Sequence, residues 1–129
     1  MLRPFKALLT SVLLLLPLAA LADTYLLMAE EKGCMYCAQW NADIGPIYPK
    51  TAEGKAAPLR RYDLHGDSPE AILKARVLYT PTFILVVEDT EVGRIEGYPG
   101  EDFFWGLLAK LLKQADIDTN APATPGKDK

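Results

Sequence analysis

Cys34 and Cys37 are the two cysteines of this 129-residue chain, with Met35 and Tyr36 between them. Two thiols at that spacing can close a small disulfide and reopen it, which is the chemistry of thiol–disulfide exchange. They follow a short apolar run, Tyr25–Ala29, and open a stretch whose composition (Ala38, Gln39, Trp40, Ala42) suits a helix. Further on, Thr80-Pro81 introduces a second apolar run. A strand, a CxxC at a helix start and a later Pro-led strand form the arrangement of an exchange site. Two other readings stay open at this point. One is an inert disulfide, although a loop this small constrains the unfolded chain little. The other is half of a zinc site, which needs two more ligands where His65 is the only histidine. No metal is expected.

The rest of the chain bounds where such chemistry would operate. Residues 1–22 read as a secretory signal peptide. Arg3 and Lys6 make a positive start, Ala7 to Ala20 is apolar, and Ala20-Leu21-Ala22 is a cleavage site, with cleavage expected after Ala22. Thr10, Ser11 and Pro17 interrupt the apolar stretch, which argues against a membrane anchor. Without Arg3 and Lys6 the chain keeps 12 of its 14 basic residues against 17 acidic ones. That balance argues against a nucleic-acid partner. Export places the cysteines where disulfides persist. Two neighbouring cysteines do not staple a domain, so their value is chemical.

Thr24–Glu30 reads as a buried first strand. A helix is expected from Cys34 to about Ile44, broken or kinked by Gly45-Pro46. Thr51–Pro58 reads as loop and Pro58–Leu64 as a second strand. A short helix is expected through Ala75, capped by Asp67 or Ser68 with Pro69 at its first position. Phe83–Val87 and Val92–Tyr98 form an antiparallel hairpin. The last helix runs from Glu101 to about Gln114, with Phe103, Phe104, Leu107, Leu108, Leu111 and Leu112 as its apolar face. Residues 116–129 are rich in Pro, Ala and charge and read as a disordered tail, leaving one domain at 23–115. The order β-α-β-α-β-β-α gives an α/β fold with a four-stranded mixed β-sheet flanked by helices.

These features resemble the thioredoxin superfamily, on the strand–CxxC–helix, the Thr80-Pro81 pair and the Val92–Tyr98 strand before a final helix. The resemblance covers residues 24–114. Glu30, Glu31, Gly33, Cys34, Tyr36, Cys37 and Trp40 are closer still to the small periplasmic thioredoxins of SoxS type, encoded with bacterial sulfur-oxidation (Sox) systems. The resemblance implies a thioredoxin-like fold, a periplasmic location and a thiol–disulfide oxidoreductase with no cofactor beyond its own redox-active disulfide. Its implied partner is a Sox sulfur-carrier protein whose cysteine it reduces or reactivates. The implied electron donor is a membrane thiol carrier of the CcdA or DsbD kind, and the protein is expected to be a monomer. A general or glutathione-linked disulfide reductase is the alternative within the class. A non-catalytic, redox-sensitive binding module is the alternative outside it.

Within that resemblance, Cys34 is the expected nucleophile, because a helix start favours a thiolate. Cys37 is the expected resolving thiol. Met35 and Tyr36 tune the couple and, with Thr80 and Pro81, are the expected substrate-binding residues; Tyr36 matches the pattern of glutaredoxins. Couples in this superfamily span roughly −270 to −120 mV, and a reducing or intermediate one is expected here. Pro81 is expected to be cis, leaving the Thr80 backbone for an extended substrate. Lys32 and Glu30 are the candidate charge-tuning residues. Met28 stands where thioredoxin has a buried Asp, a departure from the thioredoxin pattern of proton transfer. Trp40 reads as packing, Arg60-Arg61 as a solvated strand end and His65 as an exposed turn residue. Gly97 reads as a close backbone approach to the site.

Overall fold

The computed structural model describes residues 23–120. The expected signal peptide, residues 1–22, lies outside them, as does the end of the expected tail. Four strands form one sheet: β1 (Thr24–Glu30), β2 (Leu59–Asp63), β3 (Thr82–Val87) and β4 (Thr90–Glu96). Their spatial order is β2-β1-β3-β4, with β1 parallel to β2 and the other pairs antiparallel. This is the mixed sheet expected from the sequence. The central strands β1 and β3 are buried on both faces, which is why they read as continuous apolar runs rather than alternating ones.

One face of the sheet carries Leu26, Met28, Phe83, Leu85 and Ile95. It is covered by α1 (Met35–Asp43) and α3 (Glu101–Gln114). Trp40 of α1 sits at the centre, its ring centroid 5.1 Å from Phe83, 5.6 Å from Phe104 and 6.0 Å from Tyr48. Gly45-Pro46 ends α1, and the chain continues through a 3-10 turn at Tyr48–Lys50. Only four of the six residues of the expected apolar face of α3 are used. Phe104, Leu108, Leu111 and Leu112 are buried, whereas Phe103 and Leu107 are exposed. Ala115 and Ile117 also pack on this core, and the Ile117 amide donates to the Leu112 carbonyl. The tail expected from Asp116 is therefore tied to α3 at its first residues.

The helix positions differ from expectation in two places. Residues 52–56 form α2, a short helix whose N-cap Thr51 accepts the Gly54 amide at 3.0 Å. That segment had read as loop. Conversely, the helix expected over 68–75 does not form, and the chain there is a series of bends. A helix of about seven residues gains little by itself, and β4 offers its backbone better partners. The Ile72 amide donates to the Asp89 carbonyl, and the Ile72 carbonyl accepts from the Glu91 amide. The Lys74 amide donates to the Glu91 carboxylate at 2.8 Å. Arg94 donates to the Ala75 carbonyl at 2.8 Å and lies against the carboxylate of Glu91, whose side chain is 2% exposed. A β-bulge makes this possible. Val86 pairs with Glu91 and Leu85 with Gly93, so Val92 is the extra residue. Residues 91 and 94 thereby share a face that a regular strand would deny them. This irregular segment covers the second face, where Ala71 and Val77 pack on Leu27, Ala29, Ile84 and Val86.

Candidate functional site

The site begins where β1 runs out. Gly33 has φ +82°, in the left-handed region that suits glycine, and turns the chain into α1. Cys34 is the N-cap of that helix, and its sulfur accepts the Cys37 amide at 3.1 Å. The sulfur therefore faces backbone N–H groups that have no partner within the helix, and these favour negative charge. Cys34 and Cys37 are joined as a disulfide, with Cα atoms 5.2 Å apart. Cys37 is buried against the first-face core, while Cys34 is half-buried at its edge. Met35 and Tyr36 project into solvent.

The Thr80–Pro81 peptide is cis. Pro81 is buried, and its carbonyl accepts the Gly97 amide at 2.7 Å. The Thr82 hydroxyl donates to the Tyr79 carbonyl and closes the turn. Leu78 and Tyr79, just before it, are large apolar side chains left exposed. Among the described residues, no backbone hydrogen bond involves Thr80. Gly97 was read as a close approach. A side chain there would meet nothing within 4 Å, but its φ is +84°, so the backbone conformation is what asks for glycine.

Three segments meet at Glu31. Its backbone carbonyl accepts the Cys34 amide at 3.3 Å. Its carboxylate accepts the Thr80 hydroxyl at 2.6 Å through one oxygen and lies 2.6 Å from His65 Nε2 through the other. The Thr80 hydrogen bond, then the His65 one, holds the Glu31 carboxyl below its ordinary range. The sequence reading placed the charge-tuning acid at Glu30 and left His65 as a turn residue. His65 is exposed in a turn, but it is also part of this chain of contacts. The register explains the contact: in the β1–β3 pairing Ala29 faces Thr82, and two residues further on 31 falls opposite 80.

Glu30 points to the other face and pairs with Arg61 at 2.6 Å. The same guanidinium lies 3.5 Å from the Met28 sulfur and 5.8 Å from the Trp40 ring centroid. A buried Met28 thus occupies the position beneath α1, with a strand arginine reaching over it. Arg61 is not simply a solvated strand end. Lys32 is exposed in the turn. At the far end of α1, the Tyr98 hydroxyl donates to Asp43 at 3.0 Å. Burial and this hydrogen bond push the phenol up to about 12. Among the described residues, no group of three or more His, Cys, Asp or Glu is placed to hold a metal ion.

No protein-family model matches this chain, and no curated protein does. Among solved structures it is similar to the crystal structure of the periplasmic thioredoxin SoxS from Paracoccus pantotrophus in its reduced form. The two share 52% sequence identity with a TM-score of 0.70, over 72% of this chain and 99% of that one. The chain belongs to the SoxS family of thioredoxins and is a thiol–disulfide oxidoreductase.

Proposed function

We propose that the protein is exported, with residues 1–22 removed after Ala22, and works in the periplasm as the reductant of a Sox sulfur-carrier protein. The observation that carries this reading is the likeness to SoxS across nearly all of that chain. The unequal exposure of the two cysteines supports the division of labour between them. In the reduced protein the Cys34 thiolate, favoured at the helix start, attacks a sulfur of the partner's disulfide. A Cys34–partner disulfide forms and one partner thiolate leaves. The Cys37 thiolate then attacks Cys34 Sγ, forms the Cys34–Cys37 bond and expels the second partner thiolate. Two electrons pass to the partner, whose thiolates take up protons from water. A dithiol carrier in the inner membrane, of the CcdA or DsbD kind, returns two electrons and restores both thiols.

Met35 and Tyr36 flank the attacking sulfur from solvent and touch the partner. Pro81 has no N–H to donate, and the unpaired Thr80 backbone binds an extended partner segment beside Cys34. Lys32, and Glu30 through its Arg61 partner, tune the charge around the cysteines.

The test is a trap. A Cys37→Ser variant cannot resolve its mixed disulfide, so partners stay bonded to Cys34. Expression in the native host, purification under non-reducing conditions and identification of the adducts should give one dominant sulfur-carrier protein. A broad set of partners would instead mean a general periplasmic reductase. The absence of any adduct would overturn the exchange mechanism.

A further inference from the structure

We propose that Glu31 is a positioning residue that couples the nucleophile loop to the substrate-pairing loop and thereby sets the preference for peptide disulfides over small ones. The inference deepens the proposed function and rests on its exchange reading. Among the described residues, Glu31 is the one hydrogen-bonded to both halves of the site. Its backbone accepts from Cys34, and its carboxylate accepts from the Thr80 hydroxyl at 2.6 Å. The loop that bears Thr80 comes from the irregular second-face segment, which has no helix to stiffen it. Among the described residues, the Thr80 backbone makes no hydrogen bond, so its place depends on its side chain and on Pro81. The second oxygen of the carboxylate is held by His65, which fixes the Glu31 rotamer from the turn after β2. A substrate strand laid along residue 80 therefore meets Cys34 at a distance that the Glu31 side chain adjusts from the Cys34 side. Misplacement by a fraction of an ångström in such an arrangement costs reactivity with bound substrates. A small disulfide that needs no strand pairing does not depend on that distance.

Two probes with the same leaving group separate these cases. One is a seven-residue peptide carrying its central cysteine as a mixed disulfide with thionitrobenzoate. The other is cysteamine in the same form. Thionitrobenzoate release gives a rate constant for each with the reduced protein. The parent chain should favour the peptide. In Glu31→Ala the peptide-to-cysteamine ratio should fall at least fivefold, with the cysteamine rate not slowed. Glu31→Gln keeps an oxygen for the Thr80 hydroxyl and should stay within twofold of the parent ratio. Thr80→Val removes the donor and should behave as Glu31→Ala, with no further fall in the double variant. A ratio unchanged in both Glu31→Ala and Thr80→Val, or no peptide preference in the parent, would overturn the proposal. An equal fall with both probes would also overturn it, since it would assign Glu31 to thiol chemistry. Failure of both probes to react with the reduced parent would instead remove the exchange reading on which it rests.

Discussion

At the scale of single residues, the disulfide of Cys34 and Cys37 is framed by the contacts that Glu31 makes with Thr80 and His65. Cys34, Cys37 and the helix start between them can be seen in four consecutive letters. The contacts of Glu31 cannot, because they require knowing that residue 80 lies opposite residue 31 and that the turn after β2 delivers His65. Arg61 was obscured in the same way, since the alternation of β2 left its facing open. Tyr98 offers a residue-scale test of the site's support. Its hydroxyl bonds Asp43 at the end of α1, and its pKa is raised to about 12. A raised pKa means the folded state holds the proton more tightly. That stability is complete below pH 10, the ordinary tyrosine value, and is lost as the pH climbs through the folded pKa. Tyr98→Phe should therefore unfold less steeply between pH 10 and 12 in urea titrations. At pH 7 it should be less stable by about 1 kcal/mol, the usual net worth of such a hydrogen bond.

At the scale of elements, the strands were readable and the helices less so. Apolar runs as continuous as those of β1 and β3 leave little choice but burial. The segment 68–75 carries sound helix signals in Asp67, Ser68 and Pro69, yet a sheet edge and a buried ion pair outcompete them. Thr51 was as good a cap as Ser68, but the Gly54 that follows it weakened the helix signal. On α3, six apolar residues were available and the sheet is wide enough for four of them. The Glu91–Arg94 pair is what holds the irregular segment in place of a helix. Burial alone would raise the Glu91 carboxyl. The hydrogen bonds from Arg94 and the Lys74 amide outweigh it and hold the pKa below the ordinary value. Arg94→Met keeps much of the side chain's bulk but leaves Glu91 buried without its cation. The expected loss at pH 7 is about 3 kcal/mol. The signature is its pH dependence. Without Arg94, burial raises the Glu91 pKa, so its protonation relieves the variant and the deficit should shrink toward pH 4. Chemical denaturation at the two pH values would show this. A deficit that does not change with pH would assign Arg94 a packing role only.

At the scale of the whole molecule, the two faces of the sheet are built differently. Helices α1 and α3 close the first face around Trp40, while bends and an ion pair close the second. The two halves of the proposed site are drawn one from each. Cys37 belongs to the aromatic core, whereas Leu78, Tyr79 and Thr80 belong to the irregular segment of the second face. Cooperative units of unequal strength open independently. Amide hydrogen exchange should accordingly divide the site. The amides of α1 and β3 should exchange only with global unfolding, and those of residues 72–80 through a far cheaper local opening. On the proposed function, the rim around Thr80 then detaches on its own clock, and a bound partner can be let go while the sulfur pair stays clenched in the rigid half.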